Sequence, residues 1–467
     1  MDAALPQLAK DEIAAGNSGL LLVADNYDAF AARVLAARSA TTGLDLMYYL
    51  WHDDHTGRML MQEVVRAAER GVRVRMLLDD INRRASDGAY LALNAHPNIE
   101  LRLFNPSGMR NGSLLRGVEF VFRLFAMTRR MHNKAWIADD AVAIVGGRNI
   151  GDAYFDAAET NFRDLDLLLL GPAVQQTTRI FEAFWNSEAV KPIEELHPKG
   201  ETSVSATFLE QGGGEADAAL MNGIGNRRSL AEFIAAGNDV HWTDNARVIS
   251  DPPEKALGRR PKNWLTRELF PVIQASRTCL EVVSPYFIPG RKGAALLADL
   301  VARGVDVLVL TNSLAATDVA TVHGAYANYR KRLIRSGVQL FELQPFARTP
   351  NISVFGSKGA SLHTKAFTVD GKVGFVGSFN FDPRSVSLNA EMGVLFEDER
   401  LVAQLRERFQ RERSPQASYQ VTLRKGRLQW TGVDDGEMRH YTSEPEASLS
   451  RRLLAALVRF LPIESQL

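Results

Sequence analysis

Two stretches place an imidazole and an ammonium two positions apart: His132 and Lys134 in MHNKAWIADDAVAIVGGRN, and His363 and Lys365 in LHTKAFTVDGKVGFVGSFN. They align without a gap, the offset being 363 − 132 = 231 for the histidines and 380 − 149 = 231 for the asparagines. Histidine has the unperturbed pKa nearest neutrality, so one ring can attack as a free base while a second donates a proton to a leaving oxygen. The two ammonium groups, with Asn149, Ser378 and Asn380, suit the non-bridging oxygens of a phosphodiester and the charge that grows in its trigonal-bipyramidal transition state. Attack by histidine would leave a phosphohistidine and divide one displacement into two. A metal centre is the rival for paired histidines. Charged lysine is no ligand, and the sequence has no His-x-x-Glu-His or clustered Asp motif. The expectation is therefore chemistry with no metal and no cofactor.

Positioning these groups falls to hairpins. Residues 361–385, SLHTKAFTVDGKVGFVGSFNFDPRS, alternate apolar with polar or small side chains and break at Asp370-Gly371, a strong signal for a two-residue turn. Counting outward sets His363 opposite Ser378, Lys365 opposite Val376 and Ser361 opposite Asn380. One face would then carry His363, Lys365, Ser378 and Asn380 together.

Around the hairpins the chain reads as alternating strand and helix. A helical pattern over 26–38 leads into an apolar strand over 44–51, a helix over 60–70 closed by Gly71, and a strand over 72–80. The same grammar returns in CLEVVSPYF, a helix running to Arg303, Gly304 and VDVLVLTNS. It predicts a mostly parallel sheet covered by helices, built twice. The expected organisation is a first repeat over 1–195, a linker or insertion over 196–241, a second repeat over 242–412 and a tail over 413–467. If the repeats are related by a pseudo-twofold axis, two imidazoles and two ammonium groups line one cavity.

The composition of the 467 residues, 46% hydrophobic and 24% charged, is that of a globular chain with room for two cores. The 55 basic and 55 acidic residues give no global field for nucleic acid, which is not expected as a partner. The single cysteine, Cys279, lies in an apolar run and reads as packing. Neither a signal peptide nor a run long enough to span a bilayer is present, so any membrane contact is expected to be peripheral. Two helical stripes fit that role, over 114–127 and over 448–461. The second puts Leu449, Leu453, Leu457, Phe460 and Leu461 on one side with Arg452 and Arg459 on its flank. Packing on the body of the protein is the alternative for both.

His-x-Lys, four residues, Asp, six residues, then Gly-Gly or Gly-Ser and x-Asn resembles the paired signature of the phospholipase D superfamily. Its first copy here is His132, Lys134, Asp139, Gly146, Gly147, Asn149, and its second is His363, Lys365, Asp370, Gly377, Ser378, Asn380. The resemblance spans nearly the whole chain. It implies two pseudo-twofold-related α-β-α sandwich domains with the active site at their interface, His132 as nucleophile and His363 as general acid. It also implies that a carboxylate downstream of each motif orients the other motif's histidine. Asp164 is thereby assigned to His363 and Glu391 to His132, with Asp166 the rival to Asp164. Asp139 and Asp370 belong to the catalytic signature, yet an Asp-Gly turn gives Asp370 a structural task, and both read as structural.

The wording YYLWHDDHTGR, SPYFIPG, TNSLAATDVATVHGAYANYRKRL and LPIESQL is similar to the bacterial cardiolipin synthases of the C type. That resemblance implies a phosphatidyltransferase acting on phosphatidylglycerol, with phosphatidylethanolamine the donor, on the cytoplasmic membrane surface or in the cytoplasm. A phospholipase D-type hydrolase using the same intermediate is the alternative. Arg384 in FDPRS is a candidate for a second phosphate. Of the other histidines, His96, His197 and His440 read as exposed, His52 and His55 as near a cleft, and His323 as packed on a helix.

Overall fold

A computed structural model of the chain describes residues 7–82, 87–106, 129–196, 230–235, 240–259, 264–345, 359–434 and 436–459. The helix expected over 114–127, His197 and most of the expected linker lie outside these residues. The chain divides into two compact units, one of residues 1–157, 165–265 and 388–394, the other of 158–164, 266–387 and 395–467. The long division thus falls after Leu265, and residues 413–467 belong to the second unit. Two short segments, 158–164 and 388–394, are assigned away from their sequence neighbours, and they hold Asp164 and Glu391.

In the first unit the strands are β1 (Ser18–Val23), β2 (Gly43–Tyr48), β3 (Arg73–Asp79), β4 (Ile99–Phe104), β5 (Ala135–Ala138) and β6 (Val142–Gly146). After β7 (Thr160–Arg163), which falls in the second unit, come β8 (Asp166–Leu170), β9 (Val190–Pro192), β10 (His241–Thr243) and β11 (Ala246–Ser250). The sheet order is β10-β1-β8-β6-β5-β2-β3-β4-β9. β2, β3 and β4 are parallel because helices His55–Glu69 and Asp87–Asn94 carry the chain back between them. Asp54 caps the first of these helices by accepting from Gly57 N–H at 3.0 Å, and Gly71 closes it at φ 93.

The second unit repeats this plan with β12 (Cys279–Val283), helix Gly290–Ala302, β13 (Asp306–Asn312), helix Ala320–Arg335 and β14 (Gln339–Leu343). It continues with β15 (Gly359–Leu362), β16 (Ala366–Val369), β17 (Val373–Gly377), β18 (Met392–Glu397), β19 (Ser418–Arg424), β20 (Arg427–Asp434) and β21 (Glu437–Tyr441). Their order in the sheet is β18-β17-β16-β12-β13-β14-β19-β20-β21, so the residues expected as a tail extend it beyond β14. The expectation of mostly parallel sheets needs correction. Within the two large sheets β2-β3-β4 and β12-β13-β14 pair in parallel, while the motif hairpins and outer strands described here pair antiparallel. Helical crossovers enforce parallel pairing only where they occur; short turns reverse the chain in the hairpins, and strands brought together from far apart in sequence, such as β2 and β5 or β12 and β16, also meet antiparallel.

The hairpin register also differs from the counted one. Val369 pairs with Val373 and Ala366 with Val376, one residue away from the expected frame. Asp370 and Gly371 both adopt positive φ, 54 and 66, and Lys372 N–H donates to Val369 O at 3.0 Å, so the Asp-Gly turn forms. Lys372 is then left as an extra residue between turn and ladder. The first motif does the same, with Asp139 and Asp140 at φ 53 and 51, Ala141 N–H donating to Ala138 O, and Ala138 paired with Val142. Because side chains alternate, a one-residue shift removes the shared face counted for His363, Lys365, Ser378 and Asn380. All four lie beyond the strand ends and are placed by other contacts.

The C-terminal helix Leu449–Val458 packs on helix Ala320–Arg335, with Ala455 and Val458 buried. At Gly324 the approach is close enough that a Cβ would lie 2.7 Å from the Ala455 carbonyl oxygen. On the other side Leu449, Leu453, Leu454 and Leu457 stay 73, 62, 43 and 61% exposed.

Candidate active site

In the first unit His132 sits just ahead of β5, where Met131 forms an isolated parallel bridge with Ala390. His132 N–H donates to Ala390 O and Ala390 N–H to Arg130 O, each at 2.8 Å. This pairing delivers Glu391 to the histidine, and Oε2 lies 2.7 Å from Nδ1 with both side chains buried. An acceptor at Nδ1 fixes the neutral tautomer with its proton there and its lone pair on Nε2. The edge of Tyr49 flanks the ring at 4.9 Å between centroids. Lys134 is buried too, donating from Nζ to His132 O at 2.6 Å and lying 5.2 Å from the Tyr49 ring centre. Asn149 Nδ2 donates to the Tyr154 hydroxyl at 2.7 Å, while its Oδ1 is buried with no hydrogen-bond partner among the described residues.

In the second unit β7 and β15 form a two-stranded parallel ribbon, Arg163 facing Leu362. His363 N–H and Thr364 N–H both donate to Arg163 O, at 2.8 and 3.0 Å. The residue that follows β7 is Asp164, whose Oδ2 lies 2.5 Å from His363 Nδ1. Phe162 packs 5.0 Å from the imidazole, and Lys365 Nζ donates to His363 O. Burial, and after it the Lys365 ammonium, hold the His363 imidazole below its ordinary value against the pull of Asp164. Ser378 and Asn380 are buried, Asn380 N–H donates to Ser385 Oγ at 3.3 Å, and Asn380 Oδ1 has no hydrogen-bond partner among the described residues. Arg384 is half-buried in the short helix Pro383–Ser387.

Each histidine is therefore joined to the carboxylate assigned to it. Asp166, the rival, is buried on Arg33 at 2.9 Å and Arg148 at 3.3 Å. Asp139 and Asp370 work at the far ends of the motif strands. Asp139 accepts from the backbone N–H groups of Thr41, Thr42 and Gly43 and from both threonine hydroxyls, at 2.7 to 3.1 Å. Burial opposes its charge, but these donors outweigh it and hold the carboxyl at about 2. Asp370 does the same for Arg277, Thr278 and Cys279. These two aspartates tie each motif hairpin to the start of its neighbouring strand.

Two positioning residues escaped the sequence reading. Asp79, the last residue of β3, accepts from Met131 N–H at 2.8 Å and Arg130 Nη1 at 3.2 Å, and burial lifts its carboxyl to about 7. Asn312, the last residue of β13, brackets Leu362 by donating to its carbonyl at 2.9 Å and accepting from its N–H at 2.8 Å. Both grip the residue immediately before a motif histidine. The readable signal was a polar residue ending a parallel strand, where such sheets build their sites. His323, Glu342 and Glu444 bring possible ligand atoms within 4.8 Å of one another, but Arg330 bonds both carboxylates and balances their charge.

Each α/β unit carries its own buried histidine–carboxylate pair, a duplication of the phospholipase D-like kind, and comparison with known proteins agrees. The family model described as cardiolipin synthase, PLD-like domain, matches residues 36–185 and 269–413. Cardiolipin synthase C of Escherichia coli (strain K12) is 39% identical over 466 residues, covering 96% of this chain and 96% of its own. A cardiolipin synthase of Halalkalibacterium halodurans is 26% identical over 375 residues, covering 80% of this chain and 61% of its own. In fold, the crystal structure of phosphatidylserine synthase from Haemophilus influenzae Rd KW20 matches with a TM-score of 0.61 at 14% identity, over 97% of each chain. The chain belongs to the phospholipase D superfamily, among its phosphatidyltransferases. Within that class its family is that of the cardiolipin synthases with a PLD-like domain.

Proposed function

We propose that the protein is a cardiolipin synthase that moves a phosphatidyl group onto phosphatidylglycerol through a phosphohistidine. The observation that carries this reading is the carboxylate at Nδ1 of both motif histidines, which leaves Nε2 as the ring atom for chemistry. His132 Nε2 attacks phosphorus, the bond to the leaving alcohol oxygen breaks, and His363 supplies that oxygen with a proton. A hydroxyl of phosphatidylglycerol then attacks the phosphohistidine, returns its proton to His363 and expels His132. Lys134, Lys365, Asn149, Ser378 and Asn380 hold the non-bridging oxygens. The Tyr154 hydroxyl donates as readily as it accepts, so Asn149 can turn its Nδ2 to phosphate with Oδ1 on Tyr154. Phosphatidylethanolamine is the proposed donor, Arg384 a contact for the second phosphate, and no metal takes part.

Purified protein incubated in excess chelator with mixed phosphatidylethanolamine and phosphatidylglycerol vesicles tests this, with products read by lipid mass spectrometry. Cardiolipin is the expected product. Phosphatidic acid without cardiolipin would replace the transferase by a hydrolase, and activity restored only by a divalent ion would end the metal-free mechanism.

Substrates with two acyl chains are reached at a bilayer, and we place the protein peripherally there. Among the described residues no helix is long and apolar enough to cross a membrane. Helix Leu449–Val458 offers a face instead: four exposed leucines flanked by Arg452 and Arg459, with no acidic residue over 448–459. Replacing Leu449, Leu453 and Leu457 by Gln leaves the buried Ala455 and Val458 face intact. At about 1.5 kcal/mol or more per buried leucine, binding to anionic vesicles should fall by more than roughly 10²-fold. Unchanged co-sedimentation of the triple variant would return the helix to a packing role alone.

A further inference from the structure

The first-unit site is gripped from behind by an ion pair that the mechanism does not use. Asp251 follows β11, and its N–H donates to Glu391 O at 2.8 Å while Glu391 N–H donates back to Asp251 Oδ2 at 3.1 Å. Both polar ends of residue 391 are thus held by one aspartate. Its other oxygen, Oδ1, accepts from Leu265 N–H at 2.9 Å, and Lys255 Nζ donates to Oδ2 at 2.7 Å. The side chains of Asp251 and Lys255 are both wholly buried. Lys255 lies 5.0 Å from the centre of the Trp264 ring, and its carbonyl accepts from Arg129 Nη1 at 3.1 Å, three residues before His132. Asp251 and Lys255 therefore hold the backbone of the carboxylate partner and the segment leading into the histidine at once.

A buried ion pair roughly breaks even against apolar packing of the same volume, so stability alone gives little reason to place one here. Position gives a better one. Glu391 reaches His132 from 259 residues away in sequence, and a carboxylate bonded to an imidazole at 2.7 Å depends on where its backbone is fixed.

We propose that Asp251, neutralised by Lys255, is a positioning residue that fixes the Glu391 backbone so that its carboxylate meets Nδ1 of His132. The proposal rests on the reading of His132 as a reacting group only for its kinetic consequence. Around His132, Glu391 meets the ring at Nδ1, Tyr49 flanks it and Lys134 bonds its carbonyl, and of these it is residue 391 that Asp251 bonds.

The test uses the full chain with histidine labelled at Cε1, the His132 signal being the one lost in His132→Asn. The variant Asp251→Asn with Lys255→Met removes both buried charges together, and thermal melting checks that it folds. Asp251→Glu, which keeps the pair but lengthens the arm, is the second variant. In either, the His132 titration midpoint should fall by about half a unit or more as the carboxylate partner is misplaced, with the His363 midpoint unmoved. Phosphatidylethanolamine consumption, scored for every acceptor, should show kcat down about 10- to 100-fold with KM nearly unchanged. A His132 midpoint that stays put in folded variants, while Glu391→Gln moves it, would overturn the proposal. The magnetic resonance readout holds whatever reaction the protein performs, so failure of the cardiolipin reading would leave this result separately legible.

Discussion

His132→Ala and His363→Ala should each lower turnover of mixed phosphatidylethanolamine and phosphatidylglycerol vesicles by about 10⁴-fold or more. Loss of a covalent nucleophile or of the acid paired with it leaves only the contribution of bound charge and orientation. The two variants differ in what they trap. With substrate labelled at phosphorus, His363→Ala should hold label on the protein as a slow-turning phosphohistidine at His132, and His132→Ala should hold none. The reverse pattern would exchange the two roles, and near-normal activity in either variant would end the two-histidine mechanism. Each deletion also takes the imidazole from a buried carboxylate, Glu391 in one unit and Asp164 in the other, which would cost stability. His132→Asn and His363→Asn serve as folding controls, since their amide N–H can stand in for Nδ1.

The second large effect belongs to those carboxylates. Glu391→Gln and Asp164→Asn should lower kcat by about 10² to 10⁴, because an amide partner no longer enforces the tautomer with Nε2 bare and no longer stabilises the imidazolium. Asp164→Asn carries a further signature in pH. Burial and Lys365 already hold His363 below its ordinary value, and Asp164 is the group that raises it. A general acid must be protonated, so activity is lost as pH rises through its pKa. The kcat/KM profile of the natural protein should therefore fall on its alkaline side with a midpoint below the usual imidazole value. Removing Asp164 should move that limb to still lower pH. Bound phosphodiester adds negative charge beside the ring, so the limb in kcat should lie higher than the limb in kcat/KM. A limb in Asp164→Asn that stays in place or moves up would separate Asp164 from the electrostatics of His363.

How the charges are housed explains the need for so many secondary contacts. Lys134, Lys365, Glu391 and Asp164 are all buried, and buried charges persist only where hydrogen bonds and partners replace water. The lysines meet this through the carbonyls of His132 and His363, the carboxylates through the imidazoles. Asp79 and Asn312 fix the backbone from which each histidine projects. Such anchoring lets two imidazoles be presented without loop motion setting their geometry.

By itself the sequence determined the duplicated motif, the offset of 231 residues and the helix–strand grammar, because these depend on residue type and local spacing. Asp164 and Glu391 could be named through resemblance to a superfamily, although nothing local shows which ring either would meet. Tertiary structure decided the rest, for reasons of distance. Hairpin counting assumed a turn with no residue left over, but Asp370 is held by N–H groups of residues 277–279, and Lys372 falls out of register. Parallel and antiparallel pairing depends on which strands become neighbours, and no strand carries that in its own pattern. The amphipathic stripe near the C-terminus was legible, but only its packing at Gly324 shows that Ala455 and Val458 face inward and the leucines outward. Asp251 was silent in sequence, because its significance lies in a backbone 140 residues away that folding brings within hydrogen-bond reach.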